Sequence, residues 1–142
     1  MSVDTTEERI LSALEEDAQA SYAEIADRAG VSKPTVRKYI DKLESDGVIV
    51  GYSADIDPKK LSSKTIAMVG IDVESEDYVG ATRELKNLPE VESLHTSSGD
   101  HMLMAEVRGS DGNAVGNVIS EKILGIDGVT AAHPSFLQER LK

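Results

Sequence analysis

The reading begins at residues 21–47, SYAEIADRAGVSKPTVRKYIDKLESDG. Ser21, Tyr22, Ala23 and Glu24 open a short helix in which Ile25, Ala26 and Ala29 fall at helical spacing, and Gly30 stops it. Ser32 is placed to N-cap a second helix with Pro34 in its first turn, where a missing N–H costs little. Val36, Ile40 and Leu43 then recur at i, i+4 and i+7 as an apolar stripe, leaving Lys33, Thr35, Arg37, Lys38, Tyr39 and Lys42 off it. Two short helices joined by a tight Gly-containing turn, the second with a basic, hydroxyl-rich outer face, make a helix-turn-helix fit for a DNA major groove.

Working outward on the N-terminal side, residues 4–17 (DTTEERILSALEED) read as a first helix. Thr5 or Thr6 is expected to cap it, Glu7 and Glu8 suit the positive end of its dipole, and Ile10, Leu11 and Leu14 form an apolar face over the other two helices. On the other side Gly47 ends the third helix. VIVGYSADI, residues 48–56, alternates like a strand and predicts a wing. The expected N-terminal domain is therefore a winged helix-turn-helix over residues 1–50, with a wing or linker strand over 51–64.

Past the polar break DPKKLSSK (residues 57–64) the period changes. Thr65 to Val73 is strand-like, with Ala67, Val69, Ile71 and Val73 on one face. Glu76 to Asn87 is helical through Val79, Thr82 and Leu85. Val91–Ser97 and Met102–Val107 are strands flanking a Gly99-Asp100 turn. Asn113 to Leu124 is a helix through Val115, Val118, Ile119 and Ile123, and Val129 to Phe136 a last strand. The order β-α-β-β-α-β over residues 65–142 predicts a ferredoxin-like sheet with both helices on one face, giving an α+β chain overall. The opposite face needs cover, and a second copy of the chain is the expected source.

Composition excludes several classes. There is no cysteine, hence no disulfide, thiolate metal site or cysteine nucleophile. Apolar runs fall far short of a bilayer span, and no basic-then-apolar leader stands at residues 1–10, so a cytoplasmic protein without membrane association is expected. The net charge of −11 comes from 15 basic and 26 acidic residues. Residues 1–50 carry 6 basic and 11 acidic groups and residues 51–142 carry 9 and 15, so the acidity is a property of the whole surface. With one Phe and no Trp, such a surface suits concentrated salt, where repulsion is screened, and points to a halophilic source. Against this background the cluster Lys33, Arg37, Lys38 and Lys42, with only Asp41 among it, marks the DNA-facing helix.

The first half of the chain, followed by a β-α-β-β-α-β unit carrying LPEVESLHTSSGDHMLMAEV, resembles the leucine-responsive and asparagine-responsive regulators, the Lrp/AsnC or feast/famine family, over nearly its whole length. The resemblance implies a transcriptional regulator rather than an enzyme. Its C-terminal domain would dimerise, assemble dimers into tetramers or octamers, and bind an amino acid or similar metabolite. The implied DNA contacts are Ser21, Tyr22, Ser32, Lys33, Thr35, Arg37, Lys38 and Lys42, on a pseudo-palindromic operator with half-sites about one helical turn apart. The implied effector site lies at Ser98, Gly99, Asp100 and His101, joined either by Thr130 and Ala132 or by His133 and Ser135. Family members often have an aromatic and then an acidic residue after Gly-Asp, whereas this chain has His101 and Met102, so the usual ligand does not carry over directly.

Two other classes fit the residues less well. A metal-responsive regulator would use His95, His101, His133 and Asp100, but these come from different elements and none is spaced i, i+4, so no metal and no cofactor is expected. The resemblance extends to haem-precursor decarboxylases, but an acidic, Arg-poor sheet domain does not suit a polycarboxylate substrate.

Overall fold

The computed structural model describes residues 5–142. The chain divides into two compact units, the first ending at Asp55 and the second spanning Ile56–Lys142.

The first unit is three helices around one small core: α1 (Thr5–Glu16), α2 (Tyr22–Ala29) and α3 (Lys33–Ser45). Ile10, Ala13, Ile25, Ala26, Ala29, Val36, Ile40 and Leu43 are buried together. These are mainly the residues the 3.6-residue period selects, with Ala13 taking a buried place while Leu11 and Leu14 pack at the margin. Thr5 and Thr6 already lie inside α1, so neither serves as its cap.

Ser21 and Glu24 form a capping box at the start of α2: the Glu24 N–H donates to Ser21 Oγ (3.1 Å) and the Ser21 N–H to Glu24 Oε2 (3.3 Å). Gly30 closes α2 in the left-handed region (φ 71°), a conformation that costs any side chain about 1 kcal/mol or more, and thereby turns the chain sharply into α3.

No strand forms between α3 and β1. Residues 50–57 are irregular and Pro58–Lys60 make a single 3₁₀ turn, so the expected wing strand, and the strand expected within 51–64, are absent from the single chain. The alternating pattern is present, but a strand exists only by pairing with another strand, and among the described residues none pairs with this stretch.

The second unit contains β1 (Thr65–Val73), α4 (Tyr78–Lys86), β2 (Val91–Thr96), β3 (Leu103–Gly109), α5 (Gly112–Asn117) and β4 (Val129–Leu137). The sheet is antiparallel throughout, in the order β2-β3-β1-β4. Ala67, Val69, Ile71 and Val73 of β1 and Leu103, Ala105 and Val107 of β3 bury against Ala81, Leu85, Val115, Val118, Ile119 and Ile123 from the helices.

Two helical details depart from expectation. A 3₁₀ turn at Ser75–Asp77 delays α4 until Tyr78, which rotates Ala81 and Leu85 inward and leaves Val79 68% exposed; Thr82 spends its hydroxyl on the Tyr78 carbonyl (2.8 Å). The last helix is α-helical only to Asn117 and continues as a π-helical turn over Val118–Ile123.

Candidate functional sites

In the first unit, α3 presents Lys33, Arg37 and Lys38 to solvent. Ser32 caps the helix, its Oγ accepting from the Thr35 N–H (3.4 Å) and sharing a 2.8 Å hydrogen bond with the Thr35 hydroxyl, so both hydroxyls sit at the helix N-terminus, the end that enters a groove in this motif. The Arg37 guanidinium lies over the Tyr22 ring, 5.6 Å from its centroid, a cation–π contact between α3 and the start of α2.

Lys42 behaves differently from its three neighbours. Its ammonium is 2.7 Å from Oε1 of Glu7, a carboxylate on α1 whose side chain is 3% exposed. Of the four basic residues that the sequence groups on this helix, Lys42 is thus the one that also bonds to the core. Lys42, one turn beyond Lys38 on α3, thereby links that helix to α1.

In the second unit the loop 97–102 between β2 and β3 is wider than a two-residue hairpin. Ser97 N–H donates to the Met102 carbonyl (2.9 Å) and Gly99 N–H to Ser97 Oγ (3.2 Å), while Ser98, Gly99 and Asp100 are exposed. The loop is anchored by a residue the sequence did not single out, Asp72. Its Oδ2 meets His101 Nδ1 at 3.0 Å and its Oδ1 accepts from the Met102 N–H (3.2 Å). The imidazole beside it, aided by the Met102 amide, holds the Asp72 carboxyl below the usual carboxylate range.

His101 reaches Asp72 across Gly70, where a Cβ would stand 2.2 Å from the imidazole Cδ2. On β4 the register pairs His133 with Gly70 and Ser135 with Met68, whereas Ala132 pairs with Ile71 on the helix-covered face. Of the two pairs that the sequence leaves open, β4 thus turns His133 and Ser135 to the uncovered face. Thr130 joins them separately: a register shift at Asp72/Val73 lets its hydroxyl donate to the Asp72 carbonyl (3.2 Å). His101 and His133 stack with centroids 4.7 Å apart. His95, by contrast, lies opposite Met104, and Asp100 remains in the exposed loop, so the four-residue metal grouping weighed from the sequence does not assemble.

Sequence comparison divides the chain along the same line. A winged helix-turn-helix DNA-binding family matches residues 3–50, and the Lrp/AsnC ligand binding domain matches residues 66–142, more than half of the chain. The chain belongs to the Lrp/AsnC family. Among relatives, the HTH-type transcriptional regulator LrpA1 of Halobacterium salinarum is 77% identical over all of both chains, which agrees with the halophilic character of the acidic surface. The Escherichia coli AsnC structure shares 28% identity with a TM-score of 0.70, covering 100% of this chain and 96% of that one. A Neisseria meningitidis transcriptional regulator solved as an L-Met complex has the same fold, with a TM-score of 0.70 at 23% identity, over 99% of this chain and 93% of that one. As an Lrp/AsnC protein the chain is a DNA-binding transcriptional regulator with a ligand-binding domain, and the curated relatives are named as regulators, not enzymes. Among the described residues no helix is long and apolar enough to cross a membrane.

Proposed function

We propose that this regulator works in the cytoplasm, where the unit up to Asp55 reads a pseudo-palindromic operator and the unit from Ile56 onward senses an amino acid and holds two or more copies of the chain together. The observation that carries the reading is the exposed, pre-ordered basic face of α3, with Lys33, Arg37 and Lys38 free of the core and Arg37 held on Tyr22, in a chain that is otherwise acidic. Phosphates would be met by the lysines and the Ser21–Tyr22 end of α2, and base edges by Arg37 and Thr35. Lys42, paired with Glu7, would contribute more to the stability of the unit than to DNA affinity.

The effector would enter beside loop 97–102, with Ser98, Gly99 and Asp100 open to it and an α-ammonium group accepted by Asp100; His101 and Thr130 hold the loop's base through Asp72. An amino-acid effector is supported by a fold relative solved with L-Met. Dimerisation is supported by the sheet, which has both helices on one face and leaves Met68, Gly70, Met104 and His133 on the other.

The test is a fluorescence-anisotropy titration of a promoter fragment in ~2 M KCl, paired with a thermal-shift screen of the amino acids. Changing Arg37 and Lys38 together to Ala abolishes DNA binding while light scattering still finds the wild-type assembly; wild-type affinity in that variant would refute the placement of α3. An effector at 100 times its Kd stabilises the protein by about 2.7 kcal/mol, and Asp100→Ala removes that shift.

A further inference from the structure

The one group of metal-ligating side chains that comes together among the described residues is Asp72, His101 and His133, one from β1, one from the β2–β3 loop and one from β4. Each offers one ligand atom, and these atoms all lie within 4.8 Å of one another. A tetrahedral ion with bonds of about 2.0–2.1 Å needs its donors roughly 3.3 Å apart, so closing on one ion would call for the exposed His133 to turn toward the other two.

Three features make this more than a chance meeting. Gly70 beneath the pair provides room that any side chain would fill, since its Cβ would collide with His101. The two imidazoles already meet, with ring centroids 4.7 Å apart, so a second histidine stands beside the first. Asp72 Oδ2 and His101 Nδ1 stand 3.0 Å apart, near the spacing of two donors on one ion, which would take the place of the proton they share, while the Met102 amide on Oδ1 keeps the carboxylate oriented.

The geometry points to a divalent first-row transition-metal site on the uncovered sheet face, with His101, His133 and Asp72 as protein ligands and at least one coordination position left to water. Two imidazoles and one carboxylate are a borderline donor set, suited to Zn²⁺, Co²⁺ or Ni²⁺ and poorly suited to Mg²⁺ or Ca²⁺, which take all-oxygen shells. The site shares Asp72 and His101 with the base of the proposed effector loop but does not use Asp100, so an ion here and an effector on Asp100 are separate binding events. Binding would brace the loop by linking its His101 to both β1 and β4, the two strands that flank it on this face.

The experiment is calorimetric titration of ZnCl₂ into the chelator-treated full chain in ~2 M KCl without amino acids, with Co²⁺ absorption in the visible range as an independent readout of coordination. One ion per chain is expected, with Co²⁺ bands showing nitrogen ligation. His133→Gln should weaken Zn²⁺ at least ~100-fold and erase the Co²⁺ bands, Asp72→Asn should weaken it by ~10-fold or more, and His95→Gln should leave both unchanged. Neither readout involves DNA, which separates this inference from the DNA-binding reading. Absence of binding up to ~1 mM Zn²⁺, or equal affinity in wild type and His133→Gln, overturns the site. Loss on His95→Gln places the ion elsewhere and overturns it equally.

Discussion

Lys42→Met separates two roles that four cations on one helix would otherwise share. In wild type the Lys42 ammonium lies 2.7 Å from a Glu7 oxygen, with the glutamate side chain 3% exposed and the lysine side chain 56% exposed. At that distance the gross Coulomb attraction is about 6 kcal/mol for an effective dielectric of about 20. Most of it is offset by desolvating Glu7 and ordering the lysine, and the half-exposed lysine screens more. The net loss therefore falls between that of an exposed pair, about 0–1 kcal/mol, and that of breaking a fully buried one, about 3–5 kcal/mol. About 2 kcal/mol is expected, which in a unit of this size lowers the melting point by roughly 10 °C. Methionine keeps the aliphatic stem, so the loss is not one of packing. The assay is thermal unfolding in ~2 M KCl alongside operator titrations at a temperature where both proteins are folded. Lys42→Met loses stability and keeps its affinity within about twofold, whereas Lys38→Ala keeps stability and loses affinity at least tenfold. If Lys42→Met melts with wild type and binds DNA as weakly as Lys38→Ala, the clamp is not what holds this lysine.

Two further outcomes follow from charge. Burial, with the Glu44 carboxylate accepting the Tyr52 hydroxyl at 2.9 Å, pushes that phenol up to about 12. The folded state therefore favours protonated Tyr52, so its contribution is complete below about pH 10 and disappears as pH rises through 12; Tyr52→Phe should flatten the urea midpoint across that window, and an unchanged slope would contradict the contact. For DNA binding, neutralising about five phosphates would give a log K against log[KCl] slope near −4.5, costing six to seven decades between ~0.1 and ~3 M. An acidic protein working in molar salt is expected instead to take up cations at the interface and show a much shallower slope; a slope of −4 or steeper across molar KCl would contradict this.

Much of the fold was legible in residues that repeat. Val36, Ile40 and Leu43 named the buried side of α3, and Ala67, Val69, Ile71 and Val73 named the helix-covered side of β1, because burial follows the period of the element. Ser21 and Ser32 were legible as caps because a hydroxyl before an apolar run satisfies amides the helix leaves free. Val79 misled because a 3₁₀ turn changes the phase without changing the composition.

The sites were less legible, since their partners are distant in the chain. Lys42 and Glu7 are 35 residues apart, and nothing local distinguishes a clamped lysine from one facing DNA. Asp72 reads as one more acidic residue on an acidic surface until the register of β1 and β4 sets it beside residues 101 and 130. The only signal available was Gly70, a glycine inside an otherwise apolar strand, which often marks a close approach of another group.

The order β2-β3-β1-β4 also decides how the sheet can grow. Its two open edges are β2, whose ladder is irregular between Val91 and Ser93, and β4, which carries Pro134 in its middle. A strand laid along either would meet a missing donor or a broken repeat, so neither edge is a template for adding more strands. Such a sheet resists the endless lateral stacking that leads to fibrils, an advantage in molar salt, where charge repulsion no longer keeps molecules apart.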